Sequence, residues 1–316
     1  MPPSQIIDVH HHFLPRDYLE KVGTASNTTA SGRLPDWDLA HTLEMMESVG
    51  IGGALLSISS PGVGIGPGSV RMARLMNEIA ARMRDDDPSR FGFLATLPMT
   101  EPQDCLAEIE YAFDVLGADG AAIFTNYAGN YLGSDTYTPI MQELNRRQAV
   151  VLLHPASPPA GSQVKGLSEA LIEFPAETTR TVMSMLQSGV AHAFPTIRFI
   201  LPHAGGVLPY LVQRLTLLSQ RDPAFKTRGE NEFLSAIRRF YFDMAVSTNA
   251  ATASALFAVV PKSQVLFGSD WPFVGLPSLS GVRQELRSLA LSEDEVAAIE
   301  YNNALMLFPR FRTPGY

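Results

Sequence analysis

Ile6-Ile7-Asp8-Val9-His10-His11-His12-Phe13 carries an apolar run straight into three consecutive histidines. In an extended chain residues i and i+2 leave on the same face, so His10 and His12 point to one place while His11 points away. Neutral imidazole is a ligand for zinc and other borderline divalent ions, so the pair reads as half of a metal site. A surface histidine run or a tag remnant would lack the strand-like Ile-Ile-Asp-Val lead. A dinucleotide-binding sheet would place a glycine-rich turn after its first strand, where this chain has histidines.

Outward from that stretch, short apolar runs alternate with helical patterns. The strand-like runs cover residues 6–13, 53–58, 91–97, 120–124, 149–154, 197–201, 240–243 and 265–267. Asp38 reads as the N-cap of a helix running to Ser48, with Gly50 past its end. Further helical patterns span 15–21, 69–84, 101–116, 135–147, 178–192, 208–219 and 250–259, and short tail helices start at Ser280, Ser292 and Asn302. A long Gly- and Ser-rich loop occupies 23–35, and loops of that length inside compact domains are often functional. The strand runs are continuously apolar rather than alternating, as in parallel strands covered on both faces, and eight βα units close into a barrel. An α/β fold of the (β/α)8 TIM-barrel type with a C-terminal helical tail is therefore expected, and a doubly wound open sheet is the runner-up. No composition shift divides the chain, so residues 1–316 are read as one domain.

Composition narrows the function. Of 316 residues 46% are apolar and 18% charged, which suits a compact globular chain rather than a disordered one. The net charge of −8 comes without any basic stripe, so neither nucleic acid nor an anionic membrane is an expected partner. The start shows no basic-then-apolar secretory pattern, and no window reaches the length of a membrane span. Cys105 has no second cysteine to pair with and is expected to be buried. These features lead to the expectation of a soluble, cytoplasmic protein.

Active sites of such barrels lie at the C-terminal ends of the strands, and the polar residues fall there. His10 and His12 end the first strand, His154 the fifth and His203 the sixth, and Asp270 follows the eighth. Each alone has an ordinary structural reading, but their shared position on one rim does not. The two histidines of the first strand, His154 and Asp270 are assigned to one divalent ion with an open position. Zinc is the expected metal and manganese the alternative. His203 is then left for acid/base work. The fourth strand ends in Phe124-Thr125-Asn126, with no lysine to bridge a second ion.

The set Asp8-Val9-His10-His11-His12, Val151-Leu152-Leu153-His154-Pro155, Leu201-Pro202-His203-Ala204-Gly205-Gly206 and Phe267-Gly268-Ser269-Asp270-Trp271-Pro272-Phe273 resembles the amidohydrolase superfamily. Within it the closest resemblance is to the branch of the aminocarboxymuconate-semialdehyde and hydroxybenzoate decarboxylases, particularly its 6-methylsalicylate decarboxylase-like members. The resemblance covers nearly the whole chain. It implies His10, His12, His154 and Asp270 as metal ligands and His203 as the catalytic histidine; either Asp270 or His203 is expected to deliver the catalytic proton. It implies Arg214 near the substrate, and Arg221 as the nearest match to an arginine lent by a neighbouring subunit of a homodimer. Arg180 is a further candidate carboxylate clamp, and Phe124, Asn126 and Trp271 are expected to line the substrate. The activity implied is non-oxidative decarboxylation of an aromatic or muconate-like carboxylic acid, a small-molecule substrate. Hydrolysis of a lactone or amide, or hydration, is the alternative use of the same site.

Overall fold

The structure is a computed structural model that describes residues 6–25, 34–64, 67–225 and 230–312. Its strands, in chain order, are β1 Ile6–His12, β2 Ile51–Ser57, β3 Phe91–Thr96, β4 Gly120–Phe124, β5 Asn126–Tyr127, β6 Asn130–Tyr131, β7 Val150–His154, β8 Arg198–Leu201, β9 Tyr241–Asp243 and β10 Val265–Leu266. Eight of them form one sheet in the order β1-β2-β3-β4-β7-β8-β9-β10, and β5 pairs with β6 in a small hairpin. Every ladder within the eight is parallel. The sheet closes through main-chain bonds between β1 and the segment after β10. Val9 N donates to Phe267 O (3.1 Å), Asp270 N to His10 O (2.9 Å) and His12 N to Trp271 O (2.8 Å). The (β/α)8 barrel is thus the observed architecture, and the open-sheet alternative falls.

Helices cover the outside of the barrel because its strands are apolar on both faces. Inside, Ile7, Val9, Leu55, Leu152, Ile200 and Leu266 pack with Leu307, Phe308 and Phe311 of the tail. The C-terminal helical tail therefore contributes to the core of the barrel.

The interior face of β1 does not follow simple alternation. Asp8 lies opposite Ala54 and His11 opposite Leu56, so β1 spends three steps where β2 spends two. Such a bulge shifts the alternation by one residue. Ile7 and Val9 before it, and His10 and His12 after it, consequently share the inner face. Asp8 Oδ1 accepts the His10 main-chain N–H at 3.2 Å, satisfying a donor next to the irregular step of the ladder.

Several elements sit where the sequence places them. The helix Leu39–Val49 has Asp38 as its N-cap, accepting from His41 N, and Gly50 in the left-handed region as its C-cap. The helix Leu208–Ser219 and the helix Ala250–Val259 have the expected bounds, and Cys105 is buried. Others differ. The expected helix 178–192 starts at Glu173, with Pro175 in its first turn, where a missing N–H costs nothing, and breaks at Gly189, which takes a left-handed φ of 96°. Between the strand run 120–124 and the helical pattern 135–147 lies the β5–β6 hairpin, and the helix Glu230–Ile237 falls where no pattern is assigned. The first tail helix starts at Leu276 rather than Ser280. Most of the expected loop 23–35 lies outside the described residues. Among the described residues, no helix is long and apolar enough to cross a membrane.

Candidate metal and active site

Strand ends bring His10, His12, His154 and Asp270 together, with one ligand-type atom from each lying within 4.8 Å of all the others. His10 Nε2 and His12 Nε2 are 3.0 Å apart, and Asp270 Oδ1 is 3.4 Å and 3.3 Å from them. His203 Nε2 approaches the other Asp270 oxygen, Oδ2, at 3.5 Å. The five residues assigned from sequence thus meet at the C-terminal mouth of the barrel. His203 stands beside the four-membered donor set, outside it.

The donor set fits a divalent ion, and the reason lies behind each ring. His10 Nδ1 is 3.0 Å from Asp243 Oδ2, His12 Nδ1 is 3.3 Å from Ser57 O, and His154 Nδ1 is 2.8 Å from Pro155 O. An acceptor behind Nδ1 holds the ring proton there and leaves the Nε2 lone pair for a metal. All three rings therefore present Nε2 toward the common centre, where Asp270 supplies the negative charge. His11 faces away from it, with Nδ1 2.9 Å from Asp8 Oδ2, and is buried.

Burial and charge set the protonation states. Burial lowers His154 well below the ordinary histidine value, and the His12 and His10 rings push it further down. Burial also lowers His12, outweighing the hydrogen bond it donates to Asp270. On His10 burial again opposes charge, but the Asp243 carboxylate, with Asp270 and Asp8 adding to it, wins and raises the pKa to about 9. Burial favours the neutral acid at Asp270, yet hydrogen bonds from His12 and His203 and the charge on His10 hold it well below the usual carboxylate range. Before an ion can bind, the proton on His10 Nε2 must leave. Apparent metal affinity should therefore climb from about pH 6 to about pH 9 in a chelator competition. A flat profile would contradict a protonated His10.

Rings form a collar around the donors. Phe124 stands 5.8 Å from His154, Phe174 6.5 Å from His154 and Phe273 5.6 Å from His12, centroid to centroid. Phe124 also borders a cavity of about 170 Å³ on the same rim, walled by Pro61, Val63, Leu97, Tyr127 and Ala128 and touched by the polar Asn126. No charged side chain lines this cavity among the described residues. Asn126 donates to Glu177 Oε2 (2.8 Å) and Ser157 O (3.0 Å), and the indole N–H of Trp271 donates to Thr42 Oγ1 (3.1 Å).

The arginines are placed differently. Arg180 gives its guanidinium to Glu177 (2.7 Å), with Glu173 at 3.7 Å. Arg214 and Arg221 are exposed, the first on the helix Leu208–Ser219 and the second just after it. Sequence reasoning missed Asp243 and Ser57, which stand behind ligand rings, and Glu177, which is buried and accepts from Asn126, Tyr131 (2.9 Å) and Arg180. The signal available for Asp243 was its place at the end of the seventh barrel strand.

A parallel eight-stranded barrel with three imidazoles and a carboxylate converging at its C-terminal mouth defines a metal-dependent enzyme of the amidohydrolase kind. Residues 7–310 match the amidohydrolase family, and the chain belongs to it. It is 36% identical over 313 residues to 6-methylsalicylic acid decarboxylase from Penicillium expansum, covering 97% of each chain. A crystal structure described as an amidohydrolase II superimposes with a TM-score of 0.90 at 28% identity, over 96% of this chain and 100% of that one. A dihydroxybenzoic acid decarboxylase from Polaromonas, solved with manganese and 2-nitroresorcinol, gives a TM-score of 0.83 at 21% identity over 98% of both chains.

Proposed function

We propose that this chain is a metal-dependent carboxy-lyase that decarboxylates, without oxidation, an aromatic acid of the hydroxybenzoate type. The observation that carries the reading is a four-donor cluster with an adjacent imidazole, whose His154 stands 5.8 Å from Phe124, a wall of an uncharged cavity. The identity with 6-methylsalicylic acid decarboxylase supports it. A flat neutral ring suits such a cavity, and its carboxylate belongs at the cationic centre.

When bound, a divalent ion would supply Lewis acidity that offsets charge build-up on the substrate. His10, His12, His154 and Asp270 would hold it. Three nitrogens and one carboxylate suit zinc, and the manganese in the Polaromonas enzyme supports the alternative. The chain's own contribution is a proton and a fixed geometry. His203 Nε2 and Asp270 Oδ2 face each other, so a proton held between them can be placed on the ring carbon that carries the carboxylate. The carbon–carbon bond then breaks, carbon dioxide leaves, and the bonding pair restores the aromatic ring. Solvent returns the proton to the pair. Phe124, Asn126 and Trp271 are assigned to the substrate wall. Arg180, Arg214 and Arg221 complete the carboxylate-contact candidates, with Arg221 assigned to act across a homodimer. The single-domain organisation and the cytoplasmic location belong to the same proposal.

A panel of hydroxybenzoates, muconate-type acids and lactones, offered to the zinc- and manganese-loaded protein, tests it. Release of carbon dioxide from a hydroxybenzoate without consumption of water is the expected result. Acid release from a lactone without carbon dioxide would identify a hydrolase instead.

A further inference from the structure

We propose that Asp243 is a positioning residue that locks the metal centre and His203 into a single unit. The inference rests on the reading of the four-donor cluster as a metal site. Asp243 ends β9, is fully buried, and divides its carboxylate between two tasks. Oδ2 lies 3.0 Å from His10 Nδ1, while Oδ1 accepts from the main-chain N–H of His203 (3.0 Å) and of Ala245 (3.0 Å). The first contact fixes the tautomer and the plane of a ligand ring. The second grips the backbone of the residue whose imidazole faces Asp270.

That second grip has work to do, because His203 and Ala204 both occupy the left-handed region, at φ 54° and 56°. Non-glycine residues hold such a conformation only when their surroundings over-determine it. The bond from His203 N to a buried carboxylate is one such constraint. Space is fixed as well. A Cβ at Gly268 would lie 2.9 Å from His10 Cβ and 3.1 Å from Asp243 Cγ, so the His10–Asp243 pair is seated against bare backbone. One carboxylate thereby sets both the ring that binds the ion and the peptide that carries the acid/base group.

Two substitutions separate the tasks. In Asp243→Asn the amide oxygen can still accept from His203 N and Ala245 N, but the amide nitrogen donates toward His10 Nδ1. The His10 proton is then driven to Nε2, the atom that faces the ion. Metal affinity by chelator competition should fall roughly 10–100-fold, the cost typical of losing a partner behind a ligand. With saturating metal, kcat should recover further in this variant than in Asp243→Ala, because an acceptor for His203 N and Ala245 N remains. In Asp243→Ala both grips go. Affinity should fall as well, and kcat at saturating metal should stay at least about tenfold low, with KM moving less than kcat. Unchanged metal affinity in either variant overturns the proposal, and so does full recovery of kcat by metal in the alanine variant. Should the alanine variant not fold, Asp243→Asn decides through metal affinity alone, a readout that needs no substrate and so stands apart from the assignment of the reaction.

Discussion

Asp270→Ala should yield a folded protein with no measurable decarboxylation and little bound metal after dialysis. Asp270 is the anionic member of the four-donor cluster, with Oδ1 3.4 Å from His10 Nε2 and 3.3 Å from His12 Nε2. Without it, the ion would face imidazoles alone, with no ligand charge to offset its own. The same substitution removes Oδ2, the atom that faces His203 at 3.5 Å. Binding and proton placement therefore fail together. The loss of affinity should exceed the roughly 10–100-fold that removing a partner behind a ligand costs. Metal analysis of the dialysed variant checks the result, and a stoichiometric ion would remove Asp270 from the ligand set.

His203→Ala should lose turnover while its metal stays. His203 lies outside the donor set, with its ring 5.1 Å from that of His10 and 6.4 Å from that of His154 and its Nε2 3.5 Å from Asp270 Oδ2, so its removal leaves the four donor atoms in place. A positioned acid or base is worth about 10²–10⁴ in rate, and kcat should drop by that order with KM much less affected. The pair of outcomes is diagnostic. Equal metal loss in both variants would place His203 among the ligands, whereas near-normal turnover of the His203 variant would assign the proton to Asp270 alone.

The barrel and its ligands were legible because two patterns coincide. Strands buried on both faces leave continuous apolar runs, and a titratable residue that ends such a run is conspicuous. His154 after Val151-Leu152-Leu153 is the clearest case. Asp243 also ends a strand, yet an aspartate there reads equally well as a turn residue, and its partner His10 is distant in sequence. Nothing local marks that pairing. The bulge in β1 was equally silent, since only the register against Ala54 and Leu56 reveals the extra residue. A count along a helix does not say which way a side chain turns, and Arg214 and Arg221 are exposed in the single chain. Arg180 reads from sequence as a candidate carboxylate clamp, and the buried Glu177 that takes its charge is visible only once the helix Glu173–Ser188 is packed.

The seam between β1 and the segment after β10 makes the order of assembly matter. There, Asp270 N is bonded to the carbonyl of His10, so ligands from the two ends of the polypeptide are stitched backbone to backbone. A chain in which Asp270 has not yet met β1 has neither this stitch nor the fourth donor of the cluster. Closing the ring and completing the donor set are thereby one event.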